Sequence, residues 1–360
     1  MKPADKMSIG RGHVLKNRSL LAAMTNKQSH EDGTLSEDEI NWLVRRAEGD
    51  FAVTTTAAAN VTEKGRGWEG EMGVWGDHQI PGLSELAVKL NSTGTISLVQ
   101  LFHGGMRAPR ALNGVRPISA SENTEQGMNG EYTRAMSSQE VRLMIQSFTD
   151  AAIRCEKAGF HGIELHGAHS YLICQFLGAK TNRRTDEWGG DIYGRSRFLL
   201  EIIKSIRAAT NDQFLIAVRI SPIIEKAGIY LDDSLKLAQI LCSTEIDMLH
   251  ISCWDVFQKA DDGNPATLTK RFRNVIPADF PLISTGAIWD AKDAQWLIDE
   301  GADIVGVARV GIAHPDWPQN LNDPNYTPDR PPFSEAHLRS VALSEVFINY
   351  MKRWKNFVIM

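Results

Sequence analysis

No stretch of this chain is apolar for long enough to cross a bilayer, and its first ten residues, MKPADKMSIG, lack the hydrophobic run of a secretory signal. The expectation is a cytoplasmic protein with no membrane partner. Cysteine is scarce: Cys155, Cys174, Cys242 and Cys253 are the four in 360 residues, and no CxxC pair occurs among them. Zinc and iron–sulfur frameworks need closer spacing, so no metal centre is expected and the thiols read as buried. Basic charge is scarce too. Lysine and arginine number 39 against 44 acidic residues, a net charge of −5, and the densest basic cluster is Lys352, Arg353 and Lys355. That excludes a nucleic-acid footprint. Low-complexity tracts, fixed-period repeats and linkers are all missing, so residues 1–360 read as a single domain with a C-terminal helical tail.

What is present is an ordinary globular composition, 42% hydrophobic and 23% charged, able to bury a large core. Eight short apolar runs recur: SLLAAM, DFAVTTTA, TISLVQLF, GIELHG, FLIAVRIS, DMLHISC, PLISTG and DIVGVAR. Between them lie amphipathic stretches such as 141–159 and 197–210, with apolar residues three and four apart. Gly159 and Gly301 stand where helices should stop before the next strand. Strand and helix alternating eight times predicts a single (β/α)8 barrel, with an open doubly wound sheet as the competing arrangement of the same elements.

Side chains alternate across a strand, which sorts each run into two faces. In GIELHG, Ile163 and Leu165 oppose Glu164 and His166; in LIAVRIS, Ile216, Val218 and Ile220 oppose Leu215, Ala217 and Arg219. The first set suits a helix layer. His166 and Arg219 then point inward at the C-terminal strand ends, where barrels of this kind build their sites. Segments 60–81 and 103–137, after the second and third strands, exceed ordinary loop length and are expected to form binding loops. Beyond the barrel, a final helix is expected over about 335–354.

The most specific stretch is HGAHSYLICQFL, residues 166–177, followed by KTNRRTDEWGGDIYGRSRFLLEII. It resembles the old yellow enzyme family of FMN-dependent ene-reductases, and the resemblance runs over about residues 15–318. Reduction of an activated alkene needs donors for the carbonyl or nitro oxygen, a hydride for the β-carbon and an acid for the α-carbon. The resemblance implies that His166 and His169 hold the substrate oxygen and that Tyr171 protonates the α-carbon. Ser170 replaces the glycine usual in the family.

The same resemblance implies a bound FMN, with NADPH or NADH as co-substrate in a ping-pong cycle at one shared site. This fits the absence of a G-x-G-x-x-G fingerprint after any expected strand. Ala23-Met24-Thr25 resembles the turn against the flavin, with Thr25 at O4; Gln100 matches the pyrimidine-edge glutamine, Ala57 a small residue against the ring, and Arg219 the arginine beside N1 and O2. Loops after the seventh and eighth strands are the common phosphate position in such barrels. Those loops begin with Ser284-Thr285-Gly286 and Gly306-Val307-Ala308-Arg309, where glycines permit close backbone approach and Arg309 supplies a bidentate clamp.

Other residues have less defined expectations. His103 lies near the expected site with no clear role; Trp68, Met72 and Trp75 are candidates for the substrate entrance; Asn182, Arg184 and Asp186 are expected to form a supporting loop network. Related enzymes form dimers or tetramers, and Arg353 and Trp354 are candidates to reach a neighbour in a homo-oligomer. Rival readings are a nitro or nitrate-ester reductase on the same scaffold, a dienoyl-CoA reductase or amine dehydrogenase, a phosphate-binding barrel without flavin, and a non-catalytic flavin-binding barrel. The cysteine spacing and chain length weigh against the dienoyl-CoA reductase type.

Overall fold

The computed structural model describes residues 1–124 and 132–359; part of the expected 103–137 loop therefore lies outside the described residues. The eight apolar runs form parallel strands β1 (Ser19–Leu21), β2 (Val53–Asn60), β3 (Ile96–Phe102), β4 (Gly162–Gly167), β5 (Leu215–Ile220), β6 (Met248–Ser252), β7 (Leu282–Thr285) and β8 (Ile304–Val307). They pair in chain order, with β8 beside β1 and the ring complete, so the sheet is a closed barrel. Helices α1 (Glu37–Glu48), α2 (Ile80–Asn91), α3 (Ser138–Ala158), α4 (Ile192–Ala209), α5 (Leu231–Cys242), α6 (Leu268–Arg273) and α7 (Ala291–Asp299) each follow a strand and cover it. The open-sheet alternative is thereby removed. None of these helices is long and apolar enough to cross a membrane.

Helix boundaries follow their caps. Ser137 accepts from the Glu140 backbone N–H while Glu140 reaches back to Ser137, closing a capping box at the start of α3; Gly159 ends the helix at φ +94°. The expected final helix is instead two, Glu335–Ser340 and Glu345–Met351. Ala342 between them takes φ +65°, and Ser344 caps the second piece by accepting from the Phe347 N–H. The break lets Leu338, Leu343, Phe347 and Ile348 all bury, which one straight helix would not allow.

Inside the barrel, residues two apart along each strand climb from apolar to polar. Ile96 and Leu98 lead to Gln100, Leu215 and Ala217 to Arg219, Met248 to His250 and Ser252, and Ile283 to Thr285. The lower layers form one buried apolar cluster, closed from beneath by an N-terminal hairpin, Met7–Gly10 and His13–Leu15, that contributes Ile9 and Leu15. Polar side chains are thus confined to the C-terminal end. On β2 the register slips between Thr55 and Ala58, and this bulge sets Ala57 at the same end.

Candidate active site

A cavity of about 350 Å³ opens at the C-terminal end of the barrel, within the size range of small-molecule and cofactor sites. Met24, Thr25, Arg219, Thr285, Gly286, Gly306, Val307, Ala308 and Arg309 line it, together with His169. These come from the C-terminal ends of β1, β5, β7 and β8 and from the turn after β4; strand parity places Arg219 there. Ala57 and Gln100 are buried at the same barrel end without lining the cavity, and Ala23 takes part through its carbonyl, 3.5 Å from Arg219 Nη1. Ser284 is placed differently. Its hydroxyl lies 2.8 Å from Thr269 Oγ1 on α6, so its side chain faces the helix layer and its neighbour Thr285 faces the cavity.

The three residues of the HGAHSY motif sit together. His166 is the last residue but one of β4, and its ring centroid is 5.0 Å from that of His169 and 4.9 Å from that of Tyr171, both edge-on. The turn that gathers them is tight: His169 and Ser170 take φ of +58° and +61°. Two such residues in succession are strained. The His169 backbone N–H donates to Ser221 Oγ at 3.1 Å, which fixes this bend.

Burial pushes both imidazoles well below their ordinary range, helped by Arg219, His250 and Arg107 nearby and, for His166, by His169. Both are therefore neutral near pH 7, and a neutral imidazole has one N–H to donate. In His166, Nδ1 accepts from the Ala168 N–H at 3.3 Å, so the ring proton sits on Nε2. Nε2 of His169 lies 2.8 Å from Ser252 Oγ, which accepts from Arg219 Nη2 at 2.9 Å. Because Arg219 only donates, the arrangement that uses each hydrogen once has Ser252 donate to Nε2, leaving Nδ1–H as the donor that His169 offers.

Tyr171 is walled by aromatic rings. Phe102 meets it edge-on at 4.9 Å and Trp68 lies at 6.3 Å. The Arg107 guanidinium sits 4.7 Å from the Tyr171 ring centroid and donates to the His169 carbonyl at 2.9 Å. A cation there stabilises negative charge on the phenol.

Several expected residues find other places. Met72 is buried in the helix-side core, and Trp75 packs against His78, so of the three loop residues only Trp68 reaches the site. His103 is a structural cap: its Nδ1 accepts from the Gly105 N–H at 2.9 Å, and burial holds its pKa down at about 4. Asn182, Arg184 and Asp186 do form a loop network, with Asn182 Nδ2 donating to the carbonyls of Phe176 and Trp188 at 2.7 Å each and Arg184 forked onto Asp186. Trp354 and Tyr350 line this chain's own cavity, and Arg353 lies over the Tyr350 ring at 5.3 Å. Cys155, Cys174 and Cys253 are buried; Cys242 is partly exposed.

Sequence reasoning missed four residues. Glu164 and His250 form a buried pair at 2.5 Å, Ser252 bridges Arg219 to His169, and Trp254 stands 85% exposed at the cavity rim. The inward parity of Glu164 is visible in GIELHG, but its partner His250 is 86 residues away.

The donor set fits FMN. Arg219 is 5% exposed, makes no ion pair among the described residues, and keeps a buried Nε without a partner, so it can serve an anionic or carbonyl-rich ring edge. A Cβ on Gly286 would lie 2.3 Å from the Cys253 carbonyl oxygen, so only glycine lets the end of β7 close against the β6 turn. Arg309 is exposed at the cavity and has no acidic partner among the described residues, as a phosphate clamp requires.

Residues 6–327 match the family model described as the NADH:flavin oxidoreductase / NADH oxidase family. The chain is 35% identical over 317 residues to a probable NADH-dependent flavin oxidoreductase, YqiG, of Bacillus subtilis (strain 168), covering 85% of this chain and 84% of the relative. It is 33% identical to the NADH:fumarate oxidoreductase of Klebsiella pneumoniae (strain 342), again over 85% of this chain but only 34% of that longer protein. Among solved structures, the old yellow enzyme homologue from Zymomonas mobilis superposes with a TM-score of 0.81 at 26% identity, covering 91% of this chain and 94% of that one. The chain belongs to the NADH:flavin oxidoreductase / NADH oxidase family, of the old yellow enzyme type, and is an FMN-dependent oxidoreductase with NADH or NADPH as its electron donor.

Proposed function

We propose that the chain is an ene-reductase acting on activated carbon–carbon double bonds of enones, enals and nitroalkenes. Arg219, Thr25 and the β7 and β8 loops would hold FMN, which would supply the hydride for the β-carbon, with NADH or NADPH as its source. His166 and His169 donate to the carbonyl or nitro oxygen and carry the charge that develops there. Neutral imidazoles suit this task because they donate a hydrogen bond without surrendering a proton. Tyr171 supplies the proton for the α-carbon.

The observation that carries the reading is the packing of Tyr171. Its ring lies against His166 at 4.9 Å with the Arg107 cation on its face at 4.7 Å. A phenol between an oxygen-binding donor and a cation is placed to lose a proton, because the cation offsets the charge left behind. Phe102 and Trp68 pack against the same ring.

Replacing Tyr171 with phenylalanine separates the roles. Rapid-mixing measurements should show NADH or NADPH oxidation by the bound flavin at the wild-type rate. Reoxidation by 2-cyclohexenone should slow by about 10²- to 10⁴-fold, the range general acids contribute. An unchanged enone step would remove Tyr171 as the proton donor.

A further inference from the structure

At and beneath the cavity floor lies a chain of polar side chains in which Glu164 and His250 have no part in the proposed chemistry. Gln100 on β3, Glu164 on β4, His250 on β6 and Thr285 on β7 all face inward and are buried. Gln100 Nε2 donates to Glu164 Oε1 at 2.6 Å; Glu164 Oε2 lies 2.5 Å from His250 Nδ1; His250 Nε2 lies 2.7 Å from Thr285 Oγ1. Layers inside barrels of this kind are usually filled by branched apolar side chains. A dry ionisable pair in that position is a poor source of stability.

The direction of each hydrogen bond is fixed by what the groups are able to do. Burial pushes the Glu164 carboxyl up, but the hydrogen bonds from His250 and Gln100 and the Arg219 cation outweigh it and hold the group below the usual carboxylate range. Burial lowers His250. A neutral imidazole then has one proton, which goes to the carboxylate from Nδ1, while Nε2 accepts from the Thr285 hydroxyl. An ionised carboxylate only accepts, so the Gln100 amide must turn Nε2 toward it and Oε1 away. Every group in the chain is thus used, and a single negative charge remains, on Glu164. Arg219 carries the facing positive charge and has no closer acidic partner among the described residues.

We infer that Glu164, fixed by His250, is a built-in counter-charge beneath the cofactor. It offsets Arg219, so the reduced cofactor, which carries one more negative charge than the oxidised form, is held less tightly and gives up hydride more readily. It also holds the Gln100 amide with Nε2 on the carboxylate, which leaves Oε1 as the acceptor that Gln100 would offer to an N–H of the pyrimidine edge. Glu164 and His250 are positioning residues, since neither lines the cavity. The inference rests on FMN lying over Arg219 and Gln100 and is independent of which alkene is reduced.

The test is the affinity of the protein for FMN in each redox state, measured anaerobically by fluorescence quenching with oxidised and with dithionite-reduced FMN. Glu164→Gln should tighten reduced relative to oxidised FMN by tenfold or more, a positive shift of about 30 mV for a two-electron couple. Glu164→Asp keeps the charge but shortens the reach; it should weaken both affinities together and leave their ratio within about threefold of wild type, within the scatter of such effects. An unchanged ratio in Glu164→Gln, or a shift the other way, overturns the counter-charge. A purely structural role would move both redox states alike in every variant. Should Glu164→Gln not fold, the wild-type protein still decides: 3-methyl-FMN, which lacks the N–H at N3, should bind at least about tenfold more weakly than FMN, the size of a lost buried hydrogen bond. Equal binding overturns the locked orientation of Gln100. Failure of wild-type protein to bind FMN in either state would instead overturn the placement of the cofactor itself.

Discussion

Gly286→Ala is a small change with a large expected effect, and its size follows from distances. At φ +155° the residue occupies backbone space that side chains rarely enter. An added Cβ would lie 2.3 Å from the Cys253 carbonyl oxygen, 2.9 Å from its carbonyl carbon and 3.1 Å from the Asp255 nitrogen. All three are backbone atoms, so no rotamer change relieves the contact. Restoring ordinary van der Waals separation requires the end of β7 and the β6 turn to part by about 1 Å. The backbone conformation costs about 1–3 kcal/mol and the overpacking a similar amount. Melting of the FMN-free protein should fall by roughly 3 to 10 °C, on the size scaling of unfolding entropy. Both displaced segments line the cavity, and misplacement of about 1 Å at a binding site commonly costs about a hundredfold. FMN affinity, read by quenching of flavin fluorescence, should weaken by at least tenfold. Gly263→Ala is the control, since its φ is +76° but nothing lies within 4 Å of its added Cβ. If Gly286→Ala melted and bound FMN like Gly263→Ala, the cradle formed by β7 and the β6 turn would not be the cofactor site.

Three further outcomes follow from the same geometry. Arg309→Ala should weaken FMN by about ten- to a hundredfold, the worth of a charge-assisted hydrogen bond, and leave riboflavin binding unchanged; equal losses for both ligands would place the phosphate elsewhere. His103, buried with a pKa of about 4, binds its proton more readily in the unfolded chain, where the ordinary value is about 6.5. Stability should therefore be full above pH 6.5 and fall by about 3 kcal/mol as pH drops through the window to 4; His103→Asn should remove that share of the loss in urea denaturation curves at stepped pH. Ser252→Ala should slow the enone step by about tenfold, because His169 loses the partner that fixes its Nδ1–H, while flavin reduction by NADH or NADPH stays near wild type.

The barrel was legible because each strand announces itself twice, once as an apolar run and again in the parity that puts Leu215, Ala217 and Arg219 on one face. His166, His169 and Tyr171 were legible because the local turn brings all three together, so spacing in the chain carries spacing in space. The Glu164–His250 pair was not, since strands β4 and β6 flank β5 without pairing with each other, and their inward side chains meet only in the barrel interior. Parity alone would have separated Ser284 from Thr285, as adjacent strand residues face opposite layers. The break at Ala342 carries no glycine or proline to mark it; burial of Leu343 and Phe347 against the barrel decides it, a tertiary effect that local propensity does not record.

The most direct measurement is an anaerobic absorption titration of the purified protein. A bound flavin should give the yellow spectrum of oxidised FMN, bleach on stoichiometric addition of NADH or NADPH, and regain its colour on addition of 2-cyclohexenone with formation of cyclohexanone. A colourless protein that takes up no FMN, or a reduced flavin that the enone fails to reoxidise, would contradict the account.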